Sequence, residues 1–253
     1  MDNIWSLDQA ENDVLTKLIK IVNINPIKSK NNNKNELGRT IEEMFGIDNN
    51  QLPVADYNGI EIKCKYIKSE YPIRLFSCNL DGANLFEVKN IFEKFSNISN
   101  GKRKFNHSFF NTKISYINNN TISKLIVNSV EKKIYMKFYN RKYETIYDNA
   151  YWSYDLLEER TKIKLNYIVM IKYEIKYINN EKYYIIKNII FYKYKGFERF
   201  IELIKYGIIF VNSSISSTID SNNKEKIINH GLNFVIDYKN FDLLYDKIKT
   251  INL

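Results

Sequence analysis

Two neighbouring runs constrain this chain most: "YIVMIKYEIKYI" (residues 167–178) and "KYYIIKNIIFYKY" (residues 182–194). Both are rich in β-branched and aromatic residues, and both read as strands, joined by a turn at Asn179-Asn180. Lysines interrupt the apolar stretch "YYIIKNIIFY", which is also too short to cross a bilayer. The fold must therefore be built around long paired strands in water.

Other segments carry helical spacing. In "SLDQAENDVLTKLIKIV", Ser6 caps a pattern set by Leu7, Val14, Leu15 and Leu18. "ELGRTIEEMFGI" predicts a second helix ending near Gly46. "GANLFEVKNIFEKF", "DLLEERTKIKLN" and "GFERFIELIKYG" add three more, and a terminal helix is expected from about Asn240. Strands are expected on both sides of Asn58-Gly59 and in "PIRLFSCN", "TKISYI", "KLIVNSV", "KIYMKFYN", "IIFVNSS" and "LNFVIDY". "NPIKSKNNNKN" and "NGKRKFNHS" read as polar and basic loops, and Asn31, Asn32 and Asn33 reflect a biased composition. The expected class is mixed α/β (α+β) without internal repeats. A lobe boundary is expected near residue 146, separating 1–145 from 146–253.

At 253 residues the chain can bury one large core or two smaller ones, and its 44% hydrophobic and 26% charged residues are those of a globular protein. The net charge of +9 favours a polyanionic partner, although a lysine-rich composition is compatible with none. Cys64 and Cys78 form no framework, so reduced, buried thiols and a cytoplasmic location are expected. "MDNIWSLDQAENDVL" has no apolar signal-like core.

The chemistry concentrates in "ADYNGIEIKCKY" (residues 55–66). With Asn58 and Gly59 as the turn, Tyr57 faces Ile60 and Asp56 sits opposite Glu61. Asp56, Glu61 and Lys63 then share one face with Val54, while Ile60 and Ile62 anchor the other. Two carboxylates about 5 Å apart repel each other unless a cation joins them. Mg²⁺ suits such oxygens, and Lys63 could reach a water or phosphate beside it. The alternative is a surface hairpin whose lysine neutralises two acids.

"LGRTIEEMFGI" followed by "ADYNGIEIKCKY" resembles the Gly-x-x-x-Glu helix and Asp…Glu-x-Lys motif of MutH-like nucleases of the PD-(D/E)xK superfamily. It is most similar to the monomeric restriction endonucleases of the MvaI/BcnI family. The resemblance continues through "AYWSYDLLEERTKIKLNYIVMI" (150–171), "NEKYY" and "INHGLNFVI" (228–236). It implies a restriction-endonuclease-like fold of MutH type, with a catalytic lobe and a recognition lobe around a DNA cleft. It also implies that Asp56, Glu61 and the Ile62 carbonyl hold Mg²⁺, with Mn²⁺ able to substitute, and that Lys63 orients or activates the attacking water. Glu42 would assist from the preceding helix, and adjacent Glu43 is its confound.

By the same resemblance, Asn212, Ser214, Asn229, His230 and Asn233 occupy the places from which the family reads DNA. The family's arginines are missing there. Arginine is the commonest reader of guanine, whereas asparagine and serine suit adenine or mixed contacts, so a different target follows. A turn histidine is the other reading of His230. The implied activity is that of a type II restriction endonuclease, cutting the strands of double-stranded DNA one after another as a monomer and leaving 5′-phosphates. A cognate DNA methyltransferase would belong to the same system. A MutH-like strand-nicking enzyme and a non-cleaving DNA-binding protein are the alternatives.

Overall fold

The computed structural model describes residues 7–30, 36–47, 55–57, 59–81, 91–99, 102–219 and 225–253. The chain forms two compact units, both discontinuous. The first takes Met1–Tyr71, Thr161–Gly196 and Asp242–Leu253; the second takes Pro72–Arg160 and Phe197–Phe241. The division therefore does not follow the boundary expected near residue 146. Sheet pairing, which joins segments far apart in sequence, sets it instead.

In chain order the strands are β1 (Ile27–Lys28), β2 (Ile60–Tyr66), β3 (Ile73–Ser77), β4 (Asn97–Ser99), β5 (Lys102–Phe109), β6 (Ser115–Tyr116) and β7 (Thr121–Asn128). They continue as β8 (Lys133–Asn140), β9 (Thr145–Ser153), β10 (Tyr167–Ile178), β11 (Glu181–Tyr194), β12 (Ile209–Ile219), β13 (Glu225–Ile236) and β14 (Tyr245–Asn252).

The first unit is a five-stranded sheet, ordered β1-β11-β10-β2, with β14 also on β11. The β10–β11 hairpin is as the sequence predicts. Asn179 and Asn180 have φ of 50° and 64°, the left-handed pair that matches the twist of a tight antiparallel turn. Two helices, α1 (Leu7–Asn23) and α2 (Glu36–Phe45), cover one face. Val14, Leu18 and Ile21 of α1 and Leu37, Ile41 and Phe45 of α2 form one core with Ile60, Ile62, Val169, Ile171, Ile186 and Phe191. Fully burying side chains of this kind contributes roughly 1.5–3 kcal/mol each. The orientation of α2 is fixed at its start: the buried Glu36 carboxylate accepts from Ser29 Oγ at 2.5 Å, Tyr184 Oη at 2.9 Å and the Lys30 amide.

The second unit holds two sheets, β3-β13-β12-β5-β4 and β6-β7-β8-β9. Here "NGKRKFNHS" departs from the expected basic loop. Lys102–Phe109 is β5, paired along β12, because Phe105 and Phe109 alternate with polar residues and are buried. Arg103 is held within the unit, donating to Glu93 O at 2.8 Å and Ser96 Oγ at 3.1 Å. The helix expected from Asn240 also shrinks, to a single turn at Phe241–Leu244, since "YDKIKTIN" adds to β11 as β14. β13 begins at Glu225, so Asn229 and His230 lie on a strand and not in a turn. Ser6, residues 31–33, Val54, Asn58 and residues 82–90 lie outside the described residues; residues 91–95 are helical as expected.

Trp152 on β9 is fully buried, donates to the Cys78 carbonyl at 3.3 Å and packs edge-on against Phe234 with ring centroids 5.2 Å apart. Replacing it with alanine is expected to cost about 3–5 kcal/mol, read as a lowered urea midpoint. Trp152→Phe, which keeps most of the buried surface, is expected to cost clearly less.

Candidate active site

The site forms where the chain enters β2. Tyr57 and Ile60 exchange backbone hydrogen bonds of 3.0 and 2.8 Å, closing a turn in which Gly59 takes φ +80°. Of the first expected hairpin strand, the described residues retain only this bridge. Tyr57 is fixed by both helices. Its hydroxyl donates to Asp13 at 2.5 Å, its ring meets Phe45 edge-on at 5.4 Å, and the Lys17 ammonium lies 4.8 Å from its centre. Anchoring Tyr57 fixes its neighbour, Asp56.

Asp56 Oδ2 accepts from the Ile62 amide at 2.8 Å. β2 stands at the sheet edge among the described residues, with β10 on its other side. A strand residue points its N–H and C=O to the same side. The Ile62 carbonyl therefore faces the Asp56 side too, away from β10.

Glu61 and Lys63 share the opposite sheet face from Ile60 and Ile62. In the parallel register Glu61 pairs with Ile168 and Lys63 with Met170, both fully buried or nearly so. The charged groups thus sit beside apolar neighbours, with side-chain exposures of only 10% for Glu61 and 15% for Lys63. Lys63 Nζ lies 3.0 Å from Glu61 Oε1.

A further lysine completes the cluster, and sequence reasoning missed it. Lys164 Nζ lies 3.0 Å from Glu61 Oε2 and 4.0 Å from Asp56 Oδ1. It stands in the last turn of the helix Tyr154–Leu165, whose Leu157, Thr161 and Leu165 form its fully buried face. The helix ends just before β10, and β10 runs parallel to β2, so the helix end and the start of β2 lie at the same end of the sheet. Only the pairing of β10 with β2 could have revealed this. The one signal in the sequence was that Lys164 falls within the 150–171 resemblance.

Glu42 and Glu43 are separated by geometry. Glu43 is exposed and lies 3.7 Å from Lys30. Glu42 is half-buried, and burial together with the charges of Asp56 and Glu61 raises its pKa above the ordinary carboxylate value. Burial, then the charge of Glu61, likewise raises Asp56, against the opposing Ile62 amide, Lys164 and Lys63. Cys64 is pushed up to about 12, first by burial and then by Glu42 and Asp56, so it is an unreactive thiol.

Among the described residues no three His, Cys, Asp or Glu side chains converge closely enough to enclose a metal by themselves. The site instead offers two carboxylates and a backbone carbonyl, with one ammonium already within reach of both acids. Hard oxygen donors of this kind suit Mg²⁺ or Mn²⁺, so the chemistry of the donor set fits such an ion.

A protein-family model described as the MvaI/BcnI restriction endonuclease family matches residues 15–245. The chain belongs to this family. Its enzyme class is that of site-specific deoxyribonucleases. No curated protein matches the sequence. Among solved structures, the restriction endonuclease MvaI in complex with its cognate DNA substrate is similar with a TM-score of 0.85 at 19% identity, over 96% of this chain and 99% of that one. MvaI in the absence of DNA gives a TM-score of 0.61 at 19% identity, over 98% and 99%. The expected mixed α+β, restriction-endonuclease-like fold is thus the observed one.

The second unit carries a row of uncharged polar side chains across one of its sheets. Asn212 is registered with Ser108 on one side and Asn233 on the other, and Asn233 with Ser77. Ser77 Oγ donates to Asn233 Oδ1 at 2.6 Å and Ser108 Oγ to Asn212 Oδ1 at 2.7 Å, so a polar row crosses four strands. Asn233 is buried and also donates to Gly231 O at 3.1 Å. Its amide also links β13 to β12, donating to Asn212 O at 3.5 Å. Asn212 and Ser214 are half-exposed on β12. The side chains of Asn229 and His230 lie outside what the structure describes. His107, unremarked in the sequence, pairs through Nε2 with Ser123 Oγ at 2.7 Å, and burial lowers its pKa to about 4, so it is a neutral, half-buried residue.

Because Asp56 binds its proton more tightly in the folded chain than in the unfolded one, the neutral carboxyl favours the fold. That contribution is complete below the ordinary carboxylate pKa and is lost as pH rises through the raised folded value. Asp56→Asn keeps an acceptor for the Ile62 amide without the charge. In EDTA at neutral pH it is expected to melt about 2–4 °C above the wild type, the gain disappearing in acid. A melting temperature lowered at every pH would contradict this.

Proposed function

We propose that this chain is a type II restriction endonuclease that hydrolyses double-stranded DNA phosphodiesters with Mg²⁺, Mn²⁺ being able to substitute, and leaves 5′-phosphate ends. The observation that carries this reading is the convergence of Asp56, Glu61 and Lys63 at the start of an edge strand, in a chain of restriction-endonuclease family. Support for DNA as the substrate comes from the similar MvaI structure with its cognate DNA and from the net charge of +9.

Asp56, Glu61 and the Ile62 carbonyl would hold the ion, whose charge would offset the repulsion between the two carboxylates. When bound, Mg²⁺ supplies Lewis-acid stabilisation of charge on the phosphate and lowers the pKa of water. Lys63, placed by Glu61 and by the apolar wall at Met170, orients the attacking water and faces the charge that develops on phosphate oxygens. Glu42 acts through its charge on this group, as a positioning residue. Apolar neighbours around Glu61 keep the charges weakly screened, so each acts strongly.

Asn212, Ser214, Asn229 and His230 contribute to target reading from the β12–β13 strands, with Asn233 holding Asn212 in place. Lacking the family's arginines, this face selects a target less dependent on guanine contacts. The enzyme works as a monomer in the cytoplasm, cutting the strands in succession, beside a DNA methyltransferase that protects the host target.

Incubating plasmid and phage DNA with the protein and Mg²⁺ should give discrete fragments, lost with EDTA. Lys63→Ala is expected to slow cleavage by roughly 10²–10³-fold or more. Glu42→Ala should slow it measurably, while Glu43→Ala should not. Sequencing the fragment ends gives the target and cut position. Open circles as the sole product would favour strand nicking, and DNA left intact whether or not it is methylated would favour a non-cleaving binder.

A further inference from the structure

Lys164 Nζ is 3.0 Å from Glu61 Oε2 and 4.0 Å from Asp56 Oδ1. Among the described residues it is the ammonium within ion-pair distance of both acids; Lys63 pairs with the other oxygen of Glu61. The two lysines also differ in origin. Lys63 is fixed on the same strand as Glu61, whereas Lys164 reaches in from the last turn of a separate helix.

We propose that Lys164 is a built-in counter-cation of the metal site, bridging Asp56 and Glu61 in the metal-free protein and competing with the divalent ion for them. The inference rests on the metal-site reading of Asp56 and Glu61 given above. Its physical basis is that two partly buried carboxylates need a positive charge close by. With side-chain exposures of 22% for Asp56, 10% for Glu61 and 18% for Lys164, water and salt screen the cluster weakly. Lys164 supplies that charge when no metal does, and so keeps the site assembled.

An ammonium has donors and no acceptor, so it cannot share these oxygens with a divalent ion without like-charge repulsion. Metal entry therefore weakens the hold of Lys164, and by linkage Lys164 weakens metal binding by the same factor. Its flexible four-carbon stem allows this exchange by side-chain rotation, with the helix backbone in place. A displaced ammonium then needs another anion, and the phosphate of bound DNA is of that class.

The test is Mn²⁺ titration calorimetry in the absence of DNA, on the full chain as wild type, Lys164→Met, Lys164→Arg and Asp56→Asn, with circular dichroism to verify folding. Binding lost in Asp56→Asn defines the site. Removing one unit charge at these distances is expected to tighten Mn²⁺ binding there about tenfold in Lys164→Met. Lys164→Arg, which keeps the charge, is expected to stay within about threefold of wild type. Mn²⁺ should also raise the melting temperature of Lys164→Met more than that of the wild type. If Lys164→Met does not fold, Lys164→Gln takes its place with the same expectation. Unchanged or weaker binding in the neutral variant, with Asp56-dependent binding intact in the wild type, overturns the competition and leaves the metal reading standing. Absence of Asp56-dependent Mn²⁺ binding in the wild type overturns both.

Discussion

The parallel pairing of β2 with β10 is the interaction on which the site depends. It makes β2 an edge strand, leaving the Ile62 amide and carbonyl on the side where Asp56 stands. It sets Glu61 beside Ile168 and Lys63 beside Met170, giving the charges apolar neighbours. It also brings the end of the Tyr154–Leu165 helix, and with it Lys164, to the mouth of the strand. Residues some hundred positions apart in sequence become one electrostatic unit through a ladder of backbone hydrogen bonds.

That unit is held under opposing forces. Burial and mutual repulsion disfavour the carboxylates' charged forms, as the raised pKa values of Asp56 and Glu42 record, while Lys63, Lys164 and the Ile62 amide favour them. The core beneath the sheet, from Val14 to Phe191, supplies the rigidity that keeps the acids together.

The second unit answers a different demand. Its row from Ser77 through Asn233 and Asn212 to Ser108 presents uncharged polar groups already ordered by one another. A surface so organised loses little side-chain entropy on meeting a partner. Asn233 joins three of these strands through its bonds to Ser77 and to the Asn212 carbonyl.

By itself the sequence determined the local elements and the chemistry of one segment. The alternation in residues 167–194, the Asn179-Asn180 turn, the α1 and α2 periodicities and the Asp56…Glu61-x-Lys63 spacing are all encoded within a few residues, where period and turn preference suffice. The family that the match over residues 15–245 shows was named by resemblance, carried by "LGRTIEEMFGI", "ADYNGIEIKCKY" and residues 150–171 and 228–236. Tertiary structure decided what depends on distant partners. The strand in "KRKFNHSF" exists because β12 offers an edge, and the C-terminal strand because β11 does. The two units are interleaved because sheets pair segments regardless of chain order. Glu42 faces the acids in place of Glu43, and Lys164 joins them, only once helices and sheet have packed, since nothing local fixes a side chain's neighbours across the fold.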